Sequence, residues 1–289
     1  MPTLLNGADI PFILYGTARR EQKEAPDVPG ALQRGYRALD TSSSRRFHNE
    51  AIDGQSIMEF LTNSGNSTSR EEILIQSKYA PPSGQAEPWP YEITDDIVGR
   101  VFKSVLRSAS DLGVEVIDVY FLSTPLKSLE ETLEAWCALE HIVARGGIRY
   151  LGIANVKTTR LRELCSQAQS KPKFVQNWFQ KATGYDQEVV RFCRENDIVY
   201  QAFGIFDEAN AFLLDCDLVR KRAVDKSITS HQALLQLLLA GAAAKGLQLC
   251  ILDGTANRDH MNENLCAVSQ LDGLRKPDIE SFLGLIGWS

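Results

Sequence analysis

Residues 35–50 read GYRALDTSSSRRFHNE, and they contain the first clear strand signal of the chain. The apolar part ends at Asp40, which puts a carboxylate at the last position of a short buried strand. A polar loop follows, and Asn49 with Glu50 marks a helix start, because Asn is a favoured N-cap residue. The stretch predicts a strand, a loop and a helix, with a charge where the strand meets the loop.

The same strand-then-helix alternation repeats about eight times along the 289 residues. Such a rhythm predicts a parallel sheet covered by helices, and eight units in this length favour a closed (β/α)8 TIM barrel. No GxGxxG turn follows the first strand, which argues against an open dinucleotide-binding sheet. We expect one domain over residues 1–289, although the length also permits two. The predicted strand ends lie near Leu14, Asp40, Gln76, Phe121, Ile153, Asn177, Ala202 and Leu252.

Composition excludes several classes of function. The net charge is −6 and the basic residues are scattered, so the sequence predicts no nucleic-acid surface. No signal peptide or membrane-spanning run is evident, and the six cysteines lack CxxC spacing. The four histidines show no metal-ligand spacing. We expect a cytoplasmic protein, a monomer or weak homo-oligomer, that acts on a small molecule without a metal, a nucleic acid or a membrane.

Polar residues at strand ends are the candidate site, because those ends converge on the reaction face of a barrel. Asp40 is equally a candidate N-cap or salt-bridge partner. Lys78 is either a surface residue or a cation aimed at the pocket, and a pairing with Asp40 would suit stabilisation of negative charge on a substrate. Ser123 offers a hydroxyl, although a nearby Pro makes ordinary turn chemistry the simpler explanation.

Amide and aromatic residues at later strand ends suit a planar ring ligand. Asn155, Gln176 and Asn177 are able to grip a carboxamide, or each is an ordinary structural amide. Phe203 either lies against a ring or packs in the core. Residues 254–264 read GTANRDHMNEN, a loop entering a helix whose first backbone N–H groups suit a phosphate. The Pro-rich loop of residues 80–91 is either a substrate cover or a connector.

A family resemblance rests on motifs in a fixed order over nearly the whole chain. The chain resembles the aldo-keto reductases, and most closely the fungal and bacterial NAD(P)-linked oxidoreductases among them. The resemblance implies a barrel that binds NADP or NAD and transfers hydride to a carbonyl. The motifs are GYRALDTSS, HNE, ILIQSKYAPPSGQ, IDVYFLSTPL, GGIRYLGIANV, KPKFVQNWF and FCRENDIVYQAF.

The resemblance also assigns catalytic residues, and half of the family's Asp, Tyr, Lys and His tetrad is missing. Asp40 matches the Asp and Lys78 matches the Lys. The Tyr, which is the family's proton donor, falls on Phe47 or His48, and the His falls on Ser123. His48 is the candidate replacement acid if the loop turns it inward, because an imidazolium beside the Lys78 and Asp40 pair is able to supply a proton at neutral pH.

Cofactor and substrate residues follow from the same alignment. The nicotinamide contacts fall on Asn155, Asn177 and Phe203, whose stacking ring lacks the usual hydroxyl. Gly254 and His260 replace the cations of the 2′-phosphate site. The alignment therefore indicates no strong preference for NADPH. The complete implied cofactor set is Gly16, Thr17, Asp40, Asn155, Asn177, Phe203, Gly254, His260, Glu263 and Asn264. The aromatic candidates for the substrate are Phe47, Trp89, Trp178 and Phe206, with core or surface packing as the alternative.

Three functions stay open on the sequence. The first is an NAD(P)H-dependent carbonyl reductase with a non-standard proton donor. The second is a redox-neutral enzyme of secondary metabolism, such as a dehydratase, isomerase or cyclase, that reuses the pocket. The third is a non-catalytic binding protein on the same barrel. A missing general acid lowers a rate by about 10²–10⁴-fold, so the replacement of the Tyr is the point that decides among them.

Overall fold

The computed structural model describes residues 10–19, 25–63, 65 and 67–288. Eight parallel strands form a closed barrel in chain order, which confirms the (β/α)8 fold. The strands are β1 (Ile13–Gly16), β2 (Ala38–Asp40), β3 (Leu74–Tyr79), β4 (Ile117–Leu122), β5 (Ile148–Ala154), β6 (Phe174–Trp178), β7 (Val199–Phe203) and β8 (Leu249–Asp253).

Helices follow the strands. In the described part of the chain, no helix is long and apolar enough to cross a membrane. The helices are α1 (Val28–Arg34), α2 (Glu50–Thr62), α3 (Ile97–Leu112), α4 (Leu129–Ala144), α5 (Thr158–Gln167), α6 (Gln187–Glu195), α7 (Ala211–Leu214), α8 (Asp217–Lys226), α9 (Ser230–Ala244), α10 (Arg258–Ser269) and α11 (Lys276–Ile286).

By its internal contacts the chain divides into two compact units. One unit runs from Tyr15 to Gln176, and the other comprises the described residues up to Leu14 together with those from Asn177 onward. The single domain expected from the sequence stays a prediction.

In the unit from Tyr15 to Gln176, strand register places polar residues side by side at the carboxyl ends. Asp40 on β2 is in register with Gln76 on β3, and Lys78 on β3 is in register with Phe121 on β4. Every residue of β2 and β4 is buried, and their charged residues are Asp40 at the carboxyl end of β2 and Asp118 near the start of β4. A polar side chain in such a strand needs a partner, because burial without one is unfavourable.

Helix α2 begins where the sequence predicts. The Asn49 side chain accepts a hydrogen bond from the backbone N–H of Ile52, which caps the first turn. Further along, Gly54 lies directly against α3: a Cβ at this position would stand 2.3 Å from the carbonyl oxygen of Asp111 and 2.6 Å from the Cα of Leu112. The absent side chain therefore lets the two helices approach at backbone distance.

In the other unit, an aromatic cluster organises the chain after β6. The ring of Trp288 meets Phe179 and Tyr200 edge-on, with centroid distances of 5.8 and 6.1 Å. Its indole N–H donates to the carbonyl of Tyr185 at 2.7 Å. The indole therefore buries its apolar body and satisfies its one donor, as a buried Trp requires.

The predicted strand ends are close to those of the structure. The largest offset is at β3, which was expected to end near Gln76 and continues to Tyr79. Ser77 and Lys78 look like loop residues in sequence, yet both are buried within the strand because their polar groups have partners. Helix α4 has Trp136 and Ile142 on its buried side.

The contact at Gly54 predicts an effect on stability. Gly54→Ala forces a methyl group into rigid backbone atoms, so we expect the free energy of unfolding to fall by about 1–3 kcal/mol, measured by urea denaturation. Gly284→Ala is the matched control, because Gly284 lies inside α11 with nothing within 4 Å of the added Cβ. The control gains helix propensity and should stabilise by about 0.5–1 kcal/mol. Equal effects of the two changes would contradict the close approach of α2 and α3.

Candidate active site

A buried ion pair joins the ends of β2 and β3. Lys78 Nζ lies 2.5 Å from Asp40 Oδ1, and the two residues are 7% and 3% exposed. The same carboxylate oxygen accepts from Gln76 Nε2 at 2.5 Å and from Gln176 Nε2 at 3.0 Å. Three donors on one oxygen fix the direction of the Asp40 side chain. The pairing of Lys78 with Asp40 anticipated from the sequence is present.

The ammonium group of Lys78 is held from two further sides. It donates to the backbone carbonyl of Thr41 at 2.9 Å, and it lies 5.7 Å from the centre of the Phe121 ring. A buried charge is retained at a substantial desolvation penalty, which suits a group whose charge is used. Lys78 is therefore a cation in a low-dielectric position and not a snorkelling surface residue.

His48 lies at the edge of this pair and is bound to Thr17. The His48 Nδ1 atom is 3.3 Å from Thr17 Oγ1, and that hydroxyl in turn donates to Asp53 Oδ2 at 2.7 Å. Burial, followed by the nearby Lys78 cation, lowers the pKa of His48 to about 3. The imidazolium expected from the sequence is therefore wrong as the form present at neutral pH, because His48 is uncharged there.

Phe47 stands apart from His48, although they are adjacent in sequence. Its side chain is 44% exposed, and the Arg46 guanidinium lies over its ring at 5.1 Å. The Phe47 backbone carbonyl accepts from the N–H of Arg19 at 2.6 Å, which ties the loop to the chain after β1. Of the two residues in the position of the expected phenol, His48 is the one that makes polar side-chain contacts. The role of Phe47 toward a substrate stays a prediction.

Gly16 and Thr17 end β1 next to Asp40. Gly16 is in register with Asp40, and the backbone N–H of Thr17 donates to the carbonyl of Asp40 at 2.9 Å. The Thr17 side chain is turned to His48 and Asp53, so its hydroxyl serves this network. Cofactor contacts of the two residues stay predictions.

Ser123 and Asn155 meet after β4 and β5. The Asn155 side-chain Nδ2 donates to the backbone carbonyl of Ser123 at 2.8 Å, and Asn155 is exposed with a φ of 53°. This conformation is accessible to Asn and rare for most other residues. The Asn155 amide is therefore presented at the surface of the site with its orientation set by one bond. No catalytic role of Ser123 follows from this contact.

The loop from Ala80 to Tyr91 is anchored at both ends. The Tyr91 hydroxyl donates to the carbonyl of Ala80 at 2.8 Å, and the Trp89 ring packs edge-on against the Tyr91 ring at 5.9 Å. Trp89 is half-buried, whereas Tyr91 is buried. Tyr91 is thus a structural residue of this loop, and a substrate contact of Trp89 stays a prediction.

Two further carboxylates are buried on the first turn of α2. Glu50 accepts from the hydroxyls of Ser77 and Ser108, the second at 3.0 Å, and burial raises its pKa to about 7. Asp53 accepts from the hydroxyls of Thr17 and Thr41, and burial raises its pKa to about 6. The hydroxyl donors of both groups, and the Arg19 charge near Asp53, lower these pKa values, but burial outweighs them, so each carboxyl titrates near neutral pH.

In the unit that begins at Asn177, aromatic rings line the ends of β6 and β7. The rings of Trp178 and Phe203 are nearly parallel, 6.5 Å apart, and Trp178 is 40% exposed. Phe206 contacts the ring of His231 at 4.9 Å, and His231 lies 6.5 Å from His260 in a stacked arrangement. Phe203 and Trp178 are thus two nearly parallel, stacked rings, and an aromatic ring face is the kind of surface that packs against a planar ring ligand.

The predicted amides of this unit have internal partners. Asn177 Nδ2 donates to Asp186 Oδ2 at 2.6 Å, and the buried Asn264 donates to Asp253 Oδ2 at 2.9 Å. Helix α10 begins at Arg258 after an Asn257 cap, as predicted, with Gly254 and His260 exposed on either side. Glu263 is half-buried, and its backbone carbonyl accepts from Gln232 at 3.0 Å.

Comparison with known proteins identifies the family. The aldo/keto reductase family model matches residues 13–268. The chain belongs to the aldo/keto reductase family. The deep-sea metagenome aldo-keto reductase MGS-M4 has the same fold, with a TM-score of 0.78 at 21% identity over 99% of this chain and 95% of its own.

Two relatives illustrate the range of the aldo/keto reductase family. The Bacillus subtilis protein named uncharacterized oxidoreductase YtbE is 29% identical over 70% of this chain, which spans just under two thirds, 66%, of its length. Glycerol 2-dehydrogenase (NADP(+)) of Hypocrea jecorina is 26% identical over 93% of this chain and 88% of its own. The names of these two relatives describe an oxidoreductase and a dehydrogenase, and this chain spans less than two thirds of the length of the first of them.

Aldo/keto reductases imply a nicotinamide cofactor, and the residues here fit one in part. Asn155 is exposed and oriented, and Phe203 offers a half-buried ring beside Trp178. The first turn of α10 is open to solvent, but the backbone N–H groups of Asp259 and His260 already donate to the Asn257 side chain, so the fit to a phosphate there is only partial. Asn264, in contrast, is buried against Asp253, so its predicted adenine contact has little support.

Several site residues escaped the sequence reasoning. Gln176 was weighed as a carboxamide contact, but its side chain holds Asp40. Asp53 was overlooked, and the available signal was its spacing of three from Glu50, which puts two carboxylates on one face at the start of a helix. No local feature of the sequence indicates that the face of α2 with Glu50 and Asp53 is buried.

The raised pKa of Glu50 predicts how stability depends on pH. Between its ordinary value of 4.5 and about 7, the native state keeps a proton that the unfolded chain has released, so stability falls as pH rises through this window. Glu50→Gln removes the effect. Relative to the wild type, this variant should gain up to roughly 3 kcal/mol in unfolding free energy between about pH 5 and about pH 8.

The matched control for this measurement is Glu59→Gln, which changes an exposed glutamate on the same helix. Its difference from the wild type should stay constant with pH. A difference for Glu50→Gln that is equally flat would show that the buried carboxyl titrates at its ordinary value.

Proposed function

We propose that this protein is an NAD(P)-linked oxidoreductase that interconverts a carbonyl and an alcohol on a small or medium organic substrate. The buried Lys78 and Asp40 pair supports the proposal most directly. Carbonyl reduction builds negative charge on the substrate oxygen, and a desolvated ammonium fixed at one position stabilises such charge without reorganising.

The residues of the chain divide the work at the substrate oxygen. Lys78 supplies the positive charge, and Asp40 with its amide donors keeps Lys78 in place. His48 forms a hydrogen bond to the same oxygen as a neutral imidazole. A neutral imidazole is a weak acid. The proton that the product alcohol gains must therefore come either from Lys78 or from His48 with a further group that replaces the proton on the ring.

NADP or NAD, when bound, supplies or accepts the hydride. The chain would hold its carboxamide with Asn155, stack on its nicotinamide ring with Phe203, and meet a phosphate at the start of α10. The exposed Gly254 and His260 provide at most one cation for a 2′-phosphate, so neither form of the cofactor is strongly preferred.

The substrate is expected to carry apolar surface. Trp178 and Phe47 are exposed aromatic residues, and Trp89 and Phe206 are half-buried ones, so we infer that these rings contact it. Relatives that act on alcohols, such as the enzyme named glycerol 2-dehydrogenase (NADP(+)), agree with the reaction type. We further infer a cytoplasmic protein, monomeric or weakly associated, with one domain.

A redox-neutral reaction is the second candidate, and one observation favours it. A neutral His48 beside a fixed Lys78 cation is suited to removing a proton next to a carbonyl and stabilising the resulting enolate. A dehydratase, isomerase or cyclase needs this chemistry and no hydride. Consumption of NAD(P)H in proportion to product separates the two candidates.

The proposal predicts the effect of removing the ammonium. Lys78→Met keeps the length of the stem and removes the charge, so we expect kcat/KM for carbonyl reduction to fall by roughly 10²–10⁴-fold, followed by the absorbance of NAD(P)H. Lys103→Met is the matched control, because Lys103 is exposed and pairs only with Asp95 at the surface. Its kinetics should equal those of the wild type.

The wild type is tested against a panel of aldehydes and ketones. The proposal fails if the wild type consumes no NAD(P)H with any of them but converts a carbonyl compound to a product of the same oxidation state. It also fails if Lys78→Met retains full reductase activity.

A further inference from the structure

A chain of three side chains runs from α2 to His48. Asp53 Oδ2 and Thr17 Oγ1 are 2.7 Å apart, and Thr17 Oγ1 and His48 Nδ1 are 3.3 Å apart. Asp53 and Thr17 are buried, and Thr41 is a second hydroxyl donor to the same carboxylate oxygen at 2.8 Å. The proposed function assigns no role to Asp53. Its position on the far side of Thr17 keeps it away from His48 itself.

Proton counting fixes the protonation of this chain when Asp53 is ionised. The hydroxyl of Thr17 has one hydrogen, and the Asp53 carboxylate only accepts, so that hydrogen points to Asp53. Thr17 Oγ1 then only accepts from His48, and His48 must carry its hydrogen on Nδ1. The second ring nitrogen, Nε2, is left as an acceptor.

When Asp53 is protonated, every bond in the chain reverses. The carboxyl hydrogen goes to Thr17 Oγ1, the hydroxyl hydrogen goes to His48 Nδ1, and His48 carries its hydrogen on Nε2. The heavy atoms do not need to move, since the same two distances serve both directions. His48 is neutral in both states.

We infer that Asp53 is a positioning residue and proton reservoir that sets the tautomer of His48 through Thr17. This inference rests on the proposed carbonyl reduction. During the reaction, Nε2 gives its proton to the substrate alkoxide, Thr17 gives its proton to Nδ1, and Asp53 gives its proton to Thr17. One proton leaves Asp53 and one reaches the product alcohol. A solvent proton arriving at Nε2 returns the chain to its starting state by the same path in reverse.

The relay explains how the half-buried His48 supplies a proton without becoming an imidazolium. The charged groups that act on His48 are Lys78, Asp40 and Arg19, and the lysine cation disfavours a second proton on the ring. Asp53 faces Arg19, which favours its ionised form, and Glu50 on the same helix, but burial dominates and raises its pKa to about 6. Asp53 therefore takes up its proton as pH falls through about 6. The rate of carbonyl reduction should rise below this pH, and the rate of alcohol oxidation should rise above it.

Nitrogen NMR of the protein without cofactor tests the inference independently of turnover. With ¹⁵N-labelled histidine, the signals of His48 are identified by their loss in His48→Gln, and their shifts report which ring nitrogen carries the hydrogen. From about pH 8 to about pH 5, the wild type should change from the Nδ1–H to the Nε2–H tautomer. A His48 ring that keeps one tautomer throughout this range overturns the inference.

Variants separate the relay from general damage to the fold. Thr17→Val breaks the chain and should abolish the pH-dependent change of tautomer, whereas Thr17→Ser restores the hydroxyl and should restore the change. Asp53→Asn has no titrating group and should also abolish it. Thr41→Val leaves the path to His48 intact but removes a donor that favours the ionised carboxyl, so the change should occur at higher pH. A transition that persists in Thr17→Val overturns the inference.

Kinetics then distinguish failure of the relay from failure of the proposed function. Asp53→Asn should lower kcat/KM for reduction by roughly 10–100-fold near pH 6 and remove the dependence on pH there, with KM for the cofactor unchanged. If the wild type reduces carbonyls and Asp53→Asn keeps both the rate and the pH profile, the relay is wrong and the proposed function stands. If the tautomer changes as expected and no carbonyl is reduced, the proposed function is wrong and the tautomer control stands.

Discussion

The ion pair of Lys78 and Asp40 is the interaction on which the rest of the site depends. A buried ammonium and a buried carboxylate are each unfavourable alone, so each requires the other and a full set of hydrogen bonds. The side chains of Gln76 and Gln176 meet this requirement by donating to Asp40, and the Thr41 carbonyl meets it by accepting from Lys78. Burial, followed by the Lys78 cation, lowers the pKa of His48 and keeps its ring neutral, so the cation of the pair also affects the chemistry open to its neighbour.

The fold was largely predictable because its signals are local and repeated. Apolar runs with helical segments between them give the number and order of strands, and the Asn49 cap gives the start of α2. Lys78 and Asp40 were predictable as a pair because register brings strand ends together. The extent of β3 was not, since the polar residues at its end are buried only by virtue of partners from elsewhere in the chain.

The electrostatic state of the site was the part that sequence reasoning got wrong. A histidine near an aspartate suggests an imidazolium, but the balance between burial, a cation and an anion depends on positions that only the folded chain defines. Asp53 was hidden for a related reason: a carboxylate at the start of a helix is usually solvated and favourable there. Its burial depends on the hydroxyls of Thr17 and Thr41, which come from two other segments.

The tight contact of Gly54 with α3 has a consequence for how this protein can diverge. The contact fixes the position of α2, and the barrel strand β2 fixes the position of Asp40. Both ends of the loop of residues 41–49 are therefore held in place. Arg46 and Phe47, at the middle of the loop, are exposed. Changes in loop length or side chain at this midpoint therefore cost the least stability. New recognition surfaces can arise there while the buried charges of Lys78 and Asp40 keep their positions.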